Sequence, residues 1–290
     1  MIDVRTFPAL EVSWSDDVVG DRVDHLIAMI DDTAPLAVEE HGLGVRIFFS
    51  DEAQRDNAAA IAGALFPDAT LTSLLVPDDN WAERSQAALL PIRVGNLIIA
   101  PPWTMDDVLA HAALTGDSPV VVSIQPSMGF GTGHHASTRL CLRLLQRYVP
   151  EGGAVLDIGT GSGVLALSAW RLGARQALGI DFDRDALTSA QENVEANGAG
   201  TSVSLDALDI TQDAALLTGR FDLVFANITG AMLIKYAAAV ASTLATPGIL
   251  ITSGFQTHEN DDVAAAFASQ GLESLVSEEE DTWVATGFKR

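Results

Sequence analysis

An α/β chain in two parts is what this sequence predicts, and three observations carry the reading. Val155 to Asp181 runs as strand, glycine loop, helix, strand and acid: an apolar run ends at Asp157, glycines stand at 159, 161 and 163, Val164 to Leu172 has helical spacing, and Ala177 to Ile180 ends in Asp181. From Ala154 onward, strands and helices alternate, which implies a mostly parallel, seven-stranded, Rossmann-like sheet. Residues 9–76 read βαββαβ, the ferredoxin-like α+β order.

Taken in order, Leu10 to Trp14 is a strand, and Val18 to Ile30 is a helix with apolar residues at Val19, Val23, Leu26, Ile27 and Ile30. Ala34 to Glu39 and Val45 to Phe49 are strands joined by the hairpin signal His41-Gly42-Leu43-Gly44. Asp51 to Phe66 is an alanine-rich helix, and Thr70 to Val76 a further strand. Residues 1–76 therefore form the small domain, which carries no chemical constellation and reads as a recognition, packing or dimerisation module. Residues 77–103 form a linker, because prolines at 91, 101 and 102 disfavour regular structure around its strand-like pieces. Residues 104–290 are the larger domain. Within it Val120 to Gln125 is a strand, and a glycine-rich loop follows with Thr138 at the start of the helix Arg139 to Tyr148. The regular part has strands at 154–158, 176–181, 202–206, 221–226, 248–253, 272–277 and 282–288, and helices at 162–172, 183–197, 230–244 and 259–270. Asp183 is expected to cap its helix, Gly198 and Gly200 to end it, and Glu278 to Asp281 to form a solvated turn in the last hairpin.

Hydrophobic content of 48% over 290 residues suffices for two packed cores. No apolar run reaches the roughly 18 residues of a membrane span, and the N-terminus has no secretory h-region. Cys141 is the single cysteine, so no internal disulfide or thiolate metal cluster is available; a reduced, cytoplasmic setting is expected, with Cys141 as a buried apolar residue. The formal charge of −23 argues against nucleic acid as a direct partner and favours a basic one. Solubility or salt adaptation explains it equally well, since Lys235 and Lys289 are the only lysines.

The glycine loop carries the chemistry. Glycine permits a sharp turn and close approach of backbone N–H groups to a ligand, and the next helix offers its N-terminus. An acid at the end of the second strand accepts ribose hydroxyls, which Asp181 is placed to do. Val164 stands where a dinucleotide loop needs its third glycine; the G-x-G-x-G spacing after Asp157 suits S-adenosylmethionine, which has no pyrophosphate, and argues against a dehydrogenase. Asn227 ends the strand Phe221-Asp222-Leu223-Val224-Phe225-Ala226 and either holds an amine near a methyl donor or caps the following helix. His134 and His135 are adjacent and lack a third ligand at useful spacing, so no metal is expected.

The segment Pro126 to Arg139 with its FGTGHH and STR, DIGTGSG at 157–163, GID at 179–181, ANI at 226–228, and Asp281-Thr282-Trp283 with Thr286-Gly287 together resemble the PrmA family, the methyltransferases of large-subunit ribosomal protein L11. The linker NWAE…PIRVG…PPW and Val38-Glu39-Glu40 also match, so the resemblance covers nearly the whole chain; Ser85, Ser127 and Gly129 depart from the usual pattern. It implies a class I methyltransferase domain and methyl transfer from S-adenosylmethionine to lysine side chains or the N-terminal amine of a protein presented by the small domain. It further implies cofactor contacts from Phe130, Gly131, Thr132, Gly133, Thr138, Asp157, Gly159, Gly161, Asp181 and Asn227, with Asn227 and Ile228 at the reacting amine. Two other readings stay open. One is the same fold acting on another protein, such as the β subunit of electron-transfer flavoprotein; the other is a cofactor-binding module without catalysis.

Overall fold

The computed structural model describes residues 6–14, 19–30, 33–41, 44–77, 89–126 and 133–290. Contacts divide the chain into two compact units, residues 1–86 and 87–290.

In the first unit, β1 (Thr6–Ser13), α1 (Val19–Ile30), β2 (Ala37–His41), β3 (Gly44–Phe48), α2 (Glu52–Leu65) and β4 (Thr70–Pro77) follow in the expected order. The four strands make one antiparallel sheet in the order β2-β3-β1-β4. Alternate residues of a strand face opposite sides of its sheet. Leu10 and Val12 of β1 and Val45 and Ile47 of β3 therefore point the same way, into a core with Val23, Leu26 and Ile30 of α1. Asp51 caps α2 by accepting the Gln54 N–H at 2.9 Å. On the opposite side, Arg46 is paired with Glu11 at 2.6 Å and with Glu39 at 3.6 Å.

The second unit begins with a three-stranded sheet. β5 (Ile92–Val94) and β6 (Leu97–Ala100) form a tight hairpin, and β6 runs parallel to β7 (Val120–Ser123). Two pieces expected in a linker thus belong to the second unit. The prolines flank these strands, and Gln146 satisfies the hairpin turn by donating to the Val94 carbonyl at 2.9 Å and accepting from the Asn96 N–H at 2.8 Å. Between β6 and β7 lies α3 (Met105–Thr115), a helix the sequence reading passed over; its signals were Asp106 and Asp107 in the first turn and the left-handed Gly116 at its end.

Then come α4 (Ala136–Tyr148), β8 (Ala154–Ile158), α5 (Val164–Arg171), β9 (Gln176–Ile180), α6 (Arg184–Ala196) and β10 (Val203–Asp206). Next are a short α7 (Ile210–Asp213), in a stretch left unassigned, and β11 (Phe221–Asn227). The helix expected over 230–244 is two, α8 (Gly230–Lys235) and α9 (Ala237–Ser242), broken at Tyr236. The chain closes with β12 (Leu244–Gln256), α10 (Asn260–Ala268), β13 (Glu273–Glu280) and β14 (Trp283–Lys289). Seven strands form one mixed sheet, β10-β9-β8-β11-β12-β14-β13, parallel from β10 through β12 and antiparallel over the last two.

Strand β8 is wholly buried, and its alternation divides the core: Val155 joins the cluster beneath α4 and α5, while Leu156 and Ile158 join the one beneath α9 and α10. Each fully buried aliphatic or aromatic side chain contributes about 1.5–3 kcal/mol. The chain leaves β8 toward β9 on one side of the sheet and leaves β11 toward β12 on the other, so the strand order reverses between β8 and β11. Ligands of open α/β sheets bind outside the carboxyl ends of the strands at such a reversal. Among the described residues no helix is long and apolar enough to cross a membrane.

Candidate functional site

The carboxyl ends of β8 and β11 lie side by side at the reversal, with Ala226 level with Ile158. The chain leaves β8 through Gly159, Gly161 and Gly163, all with positive φ, of 69°, 53° and 81°. A Cβ at Gly159 would stand 2.9 Å from Ile228 Cγ2, so the loop and the end of β11 are packed too closely for any larger residue. The loop is pinned at several points: the Gly159 and Thr160 N–H groups both donate to the Ile180 carbonyl, at 2.9 and 3.0 Å.

Asp157 is 1% exposed on the α4 side of the sheet. Its Oδ2 accepts the Thr160 hydroxyl at 2.7 Å and the Ala166 N–H at 3.2 Å, whereas its Oδ1 is buried with no partner among the described residues. Burial raises its pKa to about 6; the two hydrogen bonds oppose this, and the nearby charge of Asp181 adds to it. Asp181 follows β9 and accepts the Gly161 N–H at 3.1 Å on Oδ2 and the Asp183 N–H at 3.0 Å on Oδ1. A carboxylate has about four acceptor positions, so capacity remains on Asp181. Asp183 caps α6 by accepting the Asp185 N–H at 2.9 Å, as expected.

Asn227 ends β11. Its Nδ2 donates to Thr138 Oγ1 at 3.4 Å, and its Oδ1 is buried and unpartnered among the described residues. Thr229 is the N-cap of α8, so Asn227 does not cap that helix. The backbone of Ile228 is held from below by Gly254, where β12 shifts register against β14. Gly254 has φ +90°, and a Cβ there would lie 2.6 Å from the Ile228 carbonyl oxygen. Buried side chains fix this irregularity: Ser253 Oγ donates to the Val284 carbonyl at 2.8 Å and Thr252 Oγ1 to that of Thr286 at 3.2 Å. Sequence reasoning missed Gly254, although a lone glycine within a strand is the usual sign of a bulge or close approach.

Thr138 is buried near the start of α4. His135 caps that helix, accepting the Ser137 N–H on Nδ1 at 3.3 Å, and its ring stands edge-on to Trp283 with centroids 4.4 Å apart. Burial, with the charge of Arg139 added, holds the His135 pKa below its ordinary value. His134 Nε2 lies 3.0 Å from the Leu90 carbonyl. The two rings thus have separate partners. Cys141 is fully buried, and burial pushes its thiol pKa up.

Thr138, Asp157, Gly159, Gly161, Asp181, Asn227 and Ile228 are therefore gathered at one edge of the sheet. Gly133, the first described residue of the glycine-rich loop, packs instead against Ile92 and Ile99, which a Cβ would approach to 3.0 and 3.4 Å. Phe130, Gly131 and Thr132 lie outside the described residues. A further correction concerns the acids 278–281. Glu278 and Glu280 belong to β13 and face α4, where Arg139 Nε donates to Glu280 at 2.5 Å, Arg143 pairs with Glu280, and Arg147 pairs with Glu278 at 2.6 Å. Arg139 also donates to the His134 carbonyl.

The site's acceptors fit a cationic ligand with ribose hydroxyls. Two buried acceptors lack partners among the described residues, a carboxylate retains acceptor capacity, and a glycine loop lies between them. The profile of the family described as "Ribosomal protein L11 methyltransferase (PrmA)" matches residues 24–290. A ribosomal protein L11 methyltransferase of Geobacter sulfurreducens is 40% identical over 229 residues, spanning 79% of this chain and 71% of that protein. One of Pelotomaculum thermopropionicum is 37% identical over 233 residues, spanning 79% and 72%. Among solved structures, a ribosomal protein L11 methylase of Lactobacillus delbrueckii subsp. bulgaricus superposes with a TM-score of 0.59 at 26% identity, covering 70% of this chain and 99% of that one.

Proposed function

The chain belongs to the ribosomal protein L11 methyltransferase family, and from that premise we propose that it methylates amino groups of ribosomal protein L11, on lysine side chains or the N-terminus, at the crevice between β8 and β11. It is an S-adenosylmethionine-dependent protein methyltransferase. In this reading the seven-stranded unit is a Rossmann-like class I methyltransferase domain, and the four-stranded unit is a ferredoxin-like domain that recognises the substrate. The setting is cytoplasmic, and the partner is a protein rather than nucleic acid or membrane.

The observation that carries the reading is Asn227, whose Oδ1 is buried and unpaired among the described residues at the strand reversal while its Nδ2 is held by Thr138. A buried amide oxygen without a partner costs about 1–3 kcal/mol, and an amine N–H is the complement it lacks. S-adenosylmethionine, when bound, supplies a methyl group on positively charged sulfur. Toward it, Asp181 accepts ribose hydroxyls, the turn at Gly159 and Gly161 brings backbone close, and Asp157 offers negative charge to a cation. Thr138 fixes the Asn227 amide so that Oδ1, with the Ile228 carbonyl beside it, orients the acceptor amine through its hydrogens. Phe130, Gly131 and Thr132 complete the cofactor contacts on the strength of the family resemblance, while Gly133, packed against Ile92 and Ile99, ends the loop rather than touching the cofactor.

No general base is needed. Displacement at a sulfonium methyl relies on alignment, and positioning alone supplies several kcal/mol. Lysine must be neutral, against an ordinary pKa near 10.4; an apolar surround favours that form by disfavouring the charged one. The test is intact-mass spectrometry of purified L11 incubated with the protein and S-adenosylmethionine. Gains in single-methyl steps are expected, and their loss with Asn227→Ala. A protein that binds the cofactor but leaves L11 unchanged in mass overturns the substrate assignment.

A further inference from the structure

Two asparagines one turn apart, Asn193 on α6 and Asn197 at its C-cap, are 0% and 8% exposed. Neither side chain is absorbed by the mechanism above, and both reach across to segments far away in sequence. Asn197 closes on one residue of β7: its Oδ1 accepts the Ser123 N–H at 3.0 Å and its Nδ2 donates to the Ser123 carbonyl at 2.6 Å and, within its own helix end, to the Asn193 backbone carbonyl at 2.8 Å. It extends β7 as an added strand would. Asn193 does something different. Its Oδ1 accepts the Gln125 N–H at 2.7 Å, and its Nδ2 donates to the Ser162 carbonyl at 2.9 Å. One buried amide thus ties the strand end that leads in sequence toward residues 127–135 to the middle of the G-x-G-x-G loop.

The Ser162 bond matters for the loop's shape. The Gly163 N–H, on the same peptide as that carbonyl, donates to the Thr160 carbonyl at 2.9 Å. The preceding Gly161 N–H donates to Asp181. With Asn193 on the Ser162 oxygen, both ends of one peptide and the N–H two residues earlier are fixed, in a loop whose three glycines would otherwise leave it free. Without Asn193 the Gln125 N–H and the Ser162 carbonyl would each lose this partner in the interior.

We infer that Asn193 is a positioning residue for the cofactor site, setting the glycine loop against the end of β7, whereas Asn197 serves packing alone. The inference rests on the reading that the glycine loop holds S-adenosylmethionine. The two asparagines make an internal control, since each loses a buried amide on truncation but one of them touches the loop.

The test is calorimetric titration of S-adenosylmethionine into wild type, Asn193→Ala and Asn197→Ala, with melting temperature and methylation kinetics on the same samples. Both variants are expected to melt lower. Asn193→Ala raises the cofactor Kd and KM roughly tenfold, the worth of one orienting buried hydrogen bond, and retains most of kcat at saturating cofactor. Asn197→Ala leaves Kd within about twofold of wild type. Equal shifts in Kd for the two variants, or none for Asn193→Ala, overturn the inference. Absence of binding to wild type overturns instead the cofactor reading beneath it. If Asn193→Ala does not fold, Asn193→Ser, which keeps a short donor and acceptor, carries the same comparison at smaller amplitude.

Discussion

Two carboxylates on the α4 side of the seven-stranded sheet have opposite fates. Asp157, at the crevice, is buried with one oxygen unpartnered among the described residues, and its pKa is raised to about 6. Glu280, on the outer strand, is also partly buried, which raises its pKa, but hydrogen bonds and charge from Arg139 and Arg143 outweigh this and hold it below the ordinary value. In the outer region both Glu280 oxygens are paired with α4 arginines, and the polar atom left there without a hydrogen bond among the described residues is a donor, Arg143 Nε, which lies 3.5 Å from Glu278. The crevice leaves Asp157 and Asn227 each with an oxygen unpartnered among the described residues, at a cost to stability that binding would offset. A site can be recognised by such incompleteness where a ligand fits it, and the difference makes claims that separate function from stability.

The largest expected effect is on turnover. Asn227→Ala removes the unpaired oxygen and should lower kcat by about a hundredfold, the scale of one lost orienting group in an active site, with cofactor affinity nearly unchanged. Because Oδ1 has no partner among the described residues, denaturant midpoints should move little. Equal losses in kcat and in affinity, from steady-state kinetics and titration, would remove Asn227 from the reacting centre.

Asp157→Asn sharpens the contrast next. A carboxyl whose pKa is raised in the fold binds its proton more tightly folded than unfolded. Its contribution to stability therefore falls as pH rises from the ordinary 3.8 through about 6, and the full cost is carried above that. The amide avoids that charge, so the variant should be more stable than wild type at pH 8 by roughly 1–3 kcal/mol, after allowing for its own unpaired N–H. The gain should shrink toward pH 4, while cofactor binding at pH 8 weakens. Urea denaturation at the two pH values decides it, and a variant less stable at pH 8 would refute the idea that this charge is held at a cost.

Gly254→Ala probes the support beneath the crevice. The added Cβ meets the Ile228 backbone at 2.6 Å in a residue with φ +90°, and strain of this kind costs about 1–3 kcal/mol. Thermal melting should show that loss, and kcat should fall because the Ile228 carbonyl moves. Unchanged kinetics in a destabilised protein would make Gly254 a packing residue only.

How much of this was legible in the sequence follows the range of each interaction. The glycine loop, Asp181, the Asp183 cap and Asn227 were readable because their chemistry lies in one short segment ending at a strand's carboxyl end. Asn193 and Asn197 were not: their partners stand 68 and 74 residues away, and in sequence each is an ordinary polar residue on a helix. The run Glu278 to Asp281 looked like a solvated turn because four successive acids carry no hydrophobic alternation. The alternation is there in exposure instead: Glu278 and Glu280 are half-buried against α4 arginines 131 to 141 residues distant (Arg147 to Glu278, Arg139 to Glu280), and Glu279 is exposed. Strands β5 and β6 were read as strand-like pieces but assigned to a linker because prolines flank them; what ties that hairpin into the fold is Gln146 on another element.

Glu280→Gln should have the smallest effect, and its sign should oppose that of Asp157→Asn. A carboxyl whose pKa is depressed in the fold gives stability that is present above its ordinary pKa and is lost as pH falls through the folded value. Wild type should therefore exceed the variant near neutrality and lose that advantage in acid. Arg139 and Glu280 are 28% and 23% exposed, so solvent screens the pair and the advantage should be no more than about 1 kcal/mol, smaller still in high salt. Arg139 also donates to the His134 carbonyl at the start of α4, and α4 carries Thr138 to Asn227. Measured together in urea across pH 4–8, the two substitutions should give stability differences of opposite sign at pH 8 that both shrink toward pH 4. Same-sign differences at pH 8 would mean that burial, rather than pairing, governs both groups.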